Sequence, residues 1–365
     1  MANDLLNIPK DTLAHQLQLV FEAWQMPPEH IPVCIEKMLE ADLMGIDSHG
    51  IGMLPQYEQN RLSGSLIVNP AVTIERDIAA VAMIDAGHGM GHIAATRAID
   101  LAIEKAMKFG IALVSVRHSN HYGAAGVYSN RARHRGLIGI STTGTTQRAV
   151  VPTFGREPRY STNPIAFAAP GAHSNGFSLD MATSTVAVGK LKVAQRAEKP
   201  IPVGWAVDSS GAPETDPVAA LDANPKRLTP LGGTRESGSH KGYGLAMMVE
   251  ILSSILNGSY VGGYDLETDQ RGKFINVGHC FIAIDPALVR GEGNAFADEL
   301  DRLTRYLRAT PAADPNEPVL VPGDPEWAAV KQRSEQGIPM TRNLFEEIRA
   351  VTESCKTSFL LDNHH

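Results

Sequence analysis

The chain is short of the features that mark secreted, membrane and nucleic-acid-binding proteins. Its 365 residues include three cysteines, Cys34, Cys280 and Cys355, far apart and without a CxxC pair. This spacing argues against a disulfide framework or a zinc knuckle and suits a reducing compartment. No apolar run approaches the roughly 18 residues that cross a bilayer. Residues 1–11 lack the charged-then-apolar pattern of a signal peptide. A cytoplasmic protein with no membrane partner is therefore expected. There is no basic stripe, and net charge is −7 with a pI near 6.0, which argues against a nucleic-acid partner. An anionic small molecule is still compatible, because it needs only a local cluster of donors. No internal repeat and no low-complexity run is visible.

What remains is ordinary globular composition, 43% hydrophobic and 20% charged, in a chain long enough for one large or two modest domains. Residues up to about 65 carry helical periodicity. Leu13, Leu17, Val20, Phe21 and Trp24 share one face; Ile31, Ile35, Met38 and Leu39 share another. Pro27-Pro28 separates the two, Gly45 suits a helix stop, and Leu54, Tyr57, Glu58 and Leu62 continue at helical spacing to Gly64. From about residue 72, strands alternate with helices. Strands are expected at 81–85, 111–116, 137–142, 165–169 and 177–180, with a long helix at 93–109. Helices return at 240–256, 296–309 and 344–351, with one more strand at 280–284. The stretch 208–238, rich in Pro, Gly, Asp and Thr, reads as a surface loop or lid with a tight turn at 208–211. The simplest architecture is a central α/β block, 72–235, flanked by a helical domain built from both chain ends, 1–71 and 236–365.

Asp47-Ser48-His49-Gly50 stands in the break between two helical patterns. A histidine beside a hydroxyl on a loop between rigid elements can pass a proton near neutral pH. Ser48 also precedes an apolar periodic run, the place of a helix N-cap, and the two roles are compatible. Gly87-His88-Gly89-Met90-Gly91 follows a strand and opens a helix, as a dinucleotide fingerprint would. The third glycine is replaced by His92, and the next strand is followed by Arg117 rather than an acid, so a tight turn is the better description. Arg117-His118-Ser119-Asn120-His121-Tyr122-Gly123 suits polar lining of a ligand cleft, or histidines satisfied within their loop. A metal pair at His118 and His121 finds no carboxylate near it in sequence, and no metal is expected. Asp180-Met181-Ala182-Thr183-Ser184 ends a strand, where ligands tend to sit in α/β folds. His240-Lys241-Gly242-Tyr243-Gly244 begins an apolar helix whose N–H groups and lysine could hold a phosphate; a plain helix start carries equal weight.

Taken together and in order, several of these stretches resemble the malate/L-lactate dehydrogenase superfamily that lacks a Rossmann fold. They are Ala41-Asp42 with Asp47-Ser48-His49-Gly50, the segment 89–95, Ser119-Asn120-His121-Tyr122-Gly123-Ala124, Ser161-Thr162-Asn163-Pro164, Asp180-Met181-Ala182-Thr183-Ser184, Gly189-Lys190, the segment 208–217, His240-Lys241-Gly242-Tyr243-Gly244 and Gly337-Ile338-Pro339. The resemblance implies an α/β (α+β) fold with a central mixed-sheet NAD-binding block of non-Rossmann type. It also implies a homodimer that uses NAD, with NADP as the alternative, to interconvert small 2-oxo and 2-hydroxy carboxylates.

On this resemblance His49 is the proton donor, Ser48 its hydrogen-bonded neighbour, and Lys190 a charge that stabilises the developing oxyanion. Thr162 contacts substrate. His121, Tyr122, Gly123, Ala124, Ala125, Asp180, Met181, Ala182, Thr183, Ser184, His240, Lys241, Gly323 and Asp324 contact cofactor. Two departures stand out. Many relatives carry an arginine five residues after the serine to clamp the substrate carboxylate; here the residue is Met53, so Arg148, Arg117 or Arg61 must serve, with Arg148 favoured by its loop position. The Gly52-Met53 variant resembles the hydroxycarboxylate dehydrogenase B branch, whose substrates are bulkier. Val188-Gly189-Lys190 stands where the cyclic-imine reductases have His-Gly-Asp. Malate, lactate, ureidoglycolate or sulfolactate oxidation, imine reduction and a non-catalytic ligand-binding relative are the alternatives.

Overall fold

A computed structural model of the chain describes residues 5–144, 147–262, 274–291 and 293–364. A short strand, β1 (Leu5–Ile8), leads into helices α1 (Lys10–Ala23) and α2 (Ile31–Leu43). A 3-10 turn at Ile51–Met53 opens onto α3 (Leu54–Leu62). β2 (Thr73–Ile78) and β3 (Val81–Asp85) start the main sheet, α4 (Gly91–Phe109) crosses over it, and β4 (Ile111–Ser119) returns. Then come α5 (Gly126–Arg133), β5 (Ile138–Thr143), β6 (Ile165–Ala169) and β7 (Phe177–Met181). Next are α6 (Val188–Arg196), the hairpin β8 (Ala206–Val207) and β9 (Pro213–Glu214), and α7 (Pro217–Asp222). α8 (Ser239–Glu250) passes into a π-helical turn at Ile251–Ile255. β10 (Val277–Ile284), α9 (Pro286–Arg290), α10 (Ala295–Arg308), α11 (Asp324–Gln336), β11 (Ile338–Thr341) and α12 (Arg342–Ser354) complete the chain.

The fold is α/β, with a seven-stranded mixed sheet in the order β2-β3-β4-β10-β5-β6-β7. β3 and β4 run parallel, bridged by α4. Every other neighbouring pair in this sheet is antiparallel among the described residues. A Rossmann sheet is built from successive parallel βαβ units, so the resemblance to a non-Rossmann fold holds. α4 lies close on the sheet because it turns alanines toward it: Ala94, Ala95, Ala98, Ala102 and Ala106 are buried against Ile84, Val114, Val116 and Phe281.

Two further cores flank this one. Leu13, Leu17, Val20 and Phe21 of α1 pack with Met38 and Leu39 of α2, Tyr57 of α3, and Phe345 and Ile348 of α12. Both chain ends therefore build one helical lobe. β1 and β11 tie them together as an antiparallel pair, from Leu5 opposite Thr341 to Ile8 opposite Ile338. A third lobe surrounds Val150, Tyr160, Leu191, Ile201, Ala206, Leu228 and Ala246.

The structure corrects several expectations. β1 and β11 are four residues each, too short to show a period in sequence. β2 is exposed at every position, so it has no alternation to read. β10, placed by sequence within the C-terminal helical part, lies in the middle of the sheet. The stretch 208–238 is not a loose lid: Leu228 is fully buried in the third core, and Asp208 turns the β8–β9 hairpin by accepting the Ser210 and Ala212 N–H groups. No helix of the described residues is long and apolar enough to cross a membrane.

Phe281 sits in the central strand with its ring fully buried among Tyr122, Tyr128 and His279. Phe281→Ala should lower stability by about 3–5 kcal/mol, read as a shift of the urea unfolding midpoint. A shift corresponding to under 1 kcal/mol would mean that this core is not what closes the sheet.

Candidate active site

The loop after α2 is held from below by a buried acid. Asp42, on the last turn of α2, is 2% exposed, and its Oδ2 accepts the Ile51 N–H at 2.8 Å. The first amide of the 3-10 turn is therefore satisfied by a residue nine positions upstream. Ser48 does not cap this turn: Gly50 stands at the N-cap position, with no side-chain cap bond. A Cβ on Gly50 would lie 1.9 Å from Asp42 Oδ1, so only glycine lets the loop close over the carboxylate. Burial pushes the Asp42 acid up to about 7. From the other side, Arg333 of α11 donates to both Asp47 carboxylate oxygens and, at 2.6 Å, to the Asp42 carbonyl. The helices of both chain ends thus hold the tetrapeptide.

On that loop Ser48 Oγ lies 2.7 Å from His49 Nδ1. Burial holds the His49 imidazole below its usual pKa. Its ring is 5.4 Å from that of His121, tilted by 34°. His121 Nδ1 is in turn 2.8 Å from the hydroxyl of Tyr57, a fully buried residue of α3. Tyr57 meets the fully buried His92 edge-on at 5.6 Å. Neither ring nitrogen of His92 has a hydrogen-bond partner among the described residues, and burial lowers its pKa to about 3. The cluster has no local signal in sequence: Tyr57 reads as a helix-face residue, and its partner lies 64 positions away.

His118, the other histidine of the loop, is drawn off by Asp85, Nδ1 to Oδ2 2.7 Å. The acid that the local sequence lacked is supplied by β3. No cluster of three or more His, Cys, Asp or Glu able to hold a metal is present among the described residues. The Gly87–Gly91 stretch docks on the same loop. A Cβ at Gly91 would fall 2.4 Å from the Asn120 carbonyl oxygen, so that glycine serves a close backbone approach.

The other candidate residues follow a continuous seam. Gly123, at φ +79°, fits between His92 Nε2 and the His49 carbonyl, 3.0 and 3.4 Å from where its Cβ would be. Gly126 N–H donates to Asp180 Oδ2 at 2.7 Å, and burial raises that acid to about 6. The Thr183 N–H donates to the Thr162 carbonyl and the Leu231 N–H to the Thr183 carbonyl, both at 2.8 Å. Gly242 of α8 then packs on Leu231, 2.4 Å from backbone atoms to its ideal Cβ. The seam joins His49 to the start of α8. Along it, the side chains of Tyr122, Ala124, Ala125, Thr183 and Ser184 are buried, so backbone is what they can offer a ligand; Met181, Ala182 and Thr162 are half-exposed.

At the far end Gly238 caps α8 at φ +96°, and His240 and Lys241 are exposed in its first turn. A cavity of about 460 Å³ beside it is lined by Thr153, Arg156, Arg235 and Ser239. Gly189 and Gly244 face open space. This donor set suits a pyrophosphate. Gly323 caps α11 at φ +106°, while the Asp324 carboxylate is taken by Arg308 at 2.8 and 2.9 Å. Lys190 lies exposed in the first turn of α6, with no side-chain hydrogen bond to a described residue.

The arginines divide clearly. Arg61 is bound by Glu58 at 2.6 and 2.9 Å and lies over Trp24. Arg117 is paired with Glu75 at 2.5 Å. Both are thus already engaged by carboxylates of this chain. Met53 packs half-buried against the helical core.

Asp42 also sets a pH dependence. Its folded pKa, about 7, lies above the ordinary 3.8. The stabilisation is fully present below the ordinary value and is lost as pH rises through the folded one. Asp42→Asn keeps an acceptor for Ile51 and removes the titration. Its melting temperature should gain on the wild type as pH rises between those two values and then level off; a pH-independent difference would exclude a buried titrating acid.

Comparison with known proteins agrees with this geometry. The sequence profile of the malate/L-lactate dehydrogenase family matches residues 8–349. The chain is 36% identical to malate dehydrogenase of Pyrococcus horikoshii over 95% of both chains. It is 32% identical to hydroxycarboxylate dehydrogenase B of Escherichia coli O157:H7 over 92% of this chain and 91% of that one. The crystal structure of malate dehydrogenase from Entamoeba histolytica superposes with a TM-score of 0.91 at 30% identity, covering 98% of this chain and 99% of the other. The chain is a member of the malate/L-lactate dehydrogenase family of oxidoreductases.

Proposed function

We propose that this protein reduces 2-oxo acids to 2-hydroxy acids reversibly with NADH, with NADPH as the alternative donor, and that His49 is the general acid of reduction and the base of oxidation. The observation that carries this reading is the 2.7 Å Ser48–His49 contact on a loop clamped by Asp42 and Arg333. Ser48 engages Nδ1, which leaves Nε2 to give a proton to the forming alkoxide and to take it back. Proton transfer of this kind contributes about 10²–10⁴-fold.

His240, Lys241 and the first-turn N–H groups of α8 would hold the cofactor pyrophosphate. The backbone of 121–125 and 180–184, with Gly323 and Asp324, would line the rest of its path. When bound, the nicotinamide supplies or accepts the hydride at the substrate carbon. Lys190 adds positive charge for the oxyanion. On its loop position Arg148 is assigned to the substrate carboxylate, with Thr162 and Met53 beside the tail; a thioether there favours an apolar tail over a second carboxylate. Met247, Met248, Ile251, Ile255 and Leu256 form an exposed apolar run that supports a homodimer. We place the enzyme in the cytoplasm on its cysteine usage.

Absorbance at the nicotinamide band with a panel of 2-oxo acids tests the reading. At least one should be turned over, and a cofactor-binding protein with no turnover on any would refute it. His49→Ala should lower kcat at least about 100-fold with cofactor affinity unchanged; an equal kcat removes His49 from the mechanism. The lowered His49 pKa gives the sign of the pH profile. Reduction needs the protonated ring, so its kcat/KM should keep rising as pH falls below 6.5. Oxidation needs the neutral ring and should hold its rate to below 6.5 before falling. Profiles of the opposite sign would assign the proton to another group.

A further inference from the structure

On α4 the alanines face the sheet, and a cavity of about 630 Å³ opens beside the rest of the helix, between α4, the start of α2 and the segment 69–74. None of its lining residues belongs to the site around His49. Its charges do not balance. Four charged side chains line it: Glu29, Arg97, Asp100 and Glu104. Arg97 Nη1 donates to the Val72 carbonyl at 2.6 Å, and Asp100 accepts from Arg131 at 2.5 and 2.9 Å. Glu29 and Glu104 are exposed and have no ion pair among the described residues. Two polar atoms at the cavity also lack partners among the described residues. Thr96 is 7% exposed, and nothing bonds its Oγ1. A helix threonine commonly donates to a carbonyl one turn back; this one does not. His30 Nδ1 is the second such atom. Burial lowers the His30 pKa against the pull of Glu29, so the neutral ring can offer a lone pair. Where the chain leaves a buried polar group unpaired, a ligand or an ordered water completes it.

We propose that this cavity binds a linear aliphatic diamine, with Thr96 and His30 accepting hydrogen bonds from its ammonium groups and Glu29 and Glu104 balancing their charge. An ammonium carries three donors and no acceptor, so a hydroxyl, an imidazole lone pair and a carboxylate all suit it. The chain between the charges would lie on Val33, Val72, Ile93 and Leu101, which also line the cavity. Its length fits two charges better than one. Thr96 and Glu104 stand eight positions apart on α4, about 12 Å along the axis. An anion is the alternative occupant, because α2 begins here and a helix N-terminus attracts negative charge. Pro32 in the first turn has no N–H to offer it, and the two unpaired carboxylates repel it. The site stands apart from the reaction, so it does not depend on the 2-oxo acid reading.

Isothermal titration calorimetry of the full-length protein tests this with diaminobutane, its amines terminal, as the probe. Binding should saturate in the millimolar range or tighter and weaken as salt is added. Butanediol, of the same length without the charges, should not bind. Glu29→Gln with Glu104→Gln should weaken diamine binding at least about fivefold; both residues are exposed, so the double variant should melt as the wild type does. Thr96→Val keeps the shape and removes the hydroxyl. It should weaken diamine binding while the free protein melts no lower than the wild type, because an unpaired hydroxyl has no bond to lose. No heat of binding at tens of millimolar diamine overturns the proposal. So does equal binding of the diol. A double variant that binds as well as the wild type puts the diamine elsewhere on an acidic surface and overturns it too. A Thr96→Val protein that melts well below the wild type shows that the hydroxyl already has a partner, with the same consequence.

Discussion

The strand β10 is paired along both edges, with β4 on one side and β5 on the other, and that double ladder joins two three-stranded halves into one sheet. Its side chains do the same. His279 bonds Ser119 at the end of β4 and Thr143 at the end of β5, both at 2.8 Å, and lies flat on Tyr122 at 4.4 Å. Burial drives this imidazole down to about 3, so it remains a neutral, two-ended hydrogen-bonding bridge. The loop 119–126 leaves the sheet at this pin. Its position, and that of His121 within it, depends on a strand that arrives more than 150 residues later in the chain.

Against that fixed loop the helical lobe brings a second one. Asp42 and Arg333 hold residues 47–50 from two sides, and Gly50 allows the approach. The result is a set of imidazoles held mostly neutral by low-dielectric surroundings. Such burial disfavours the charged form of both His49 and His121. Third-lobe elements line the cavity beside the start of α8. Sheet, helices and third lobe thus meet along one seam.

Much of this was legible in the sequence. α1, α2 and α3 follow their apolar stripes, and β3 and β6 have the boundaries that the pattern predicts. Rejection of Gly87–Gly91 as a phosphate loop agrees with Gly91 packing on the Asn120 carbonyl. What escaped has physical reasons. β1 and β11 are too short for a period, and β2 has no buried face. Ser48 looked like a cap because capping residues and catalytic hydroxyls are the same residue types; the cap comes from Asp42 instead. The segment 208–238 looked loose because its turns outnumber its apolar residues, yet Leu228 alone places it in a core.

The sequence by itself determined the family, the reaction class it implies, and the Ser48-His49 pair, since these rest on residue types at short spacings. It also determined which segments are amphipathic. Only the tertiary structure decided which arginines are already spent on Glu58 and Glu75, where His118 finds its acid, and that Tyr57 faces His121. Those are contacts between residues tens of positions apart. Their partners are chosen by packing of whole elements, which no local pattern encodes.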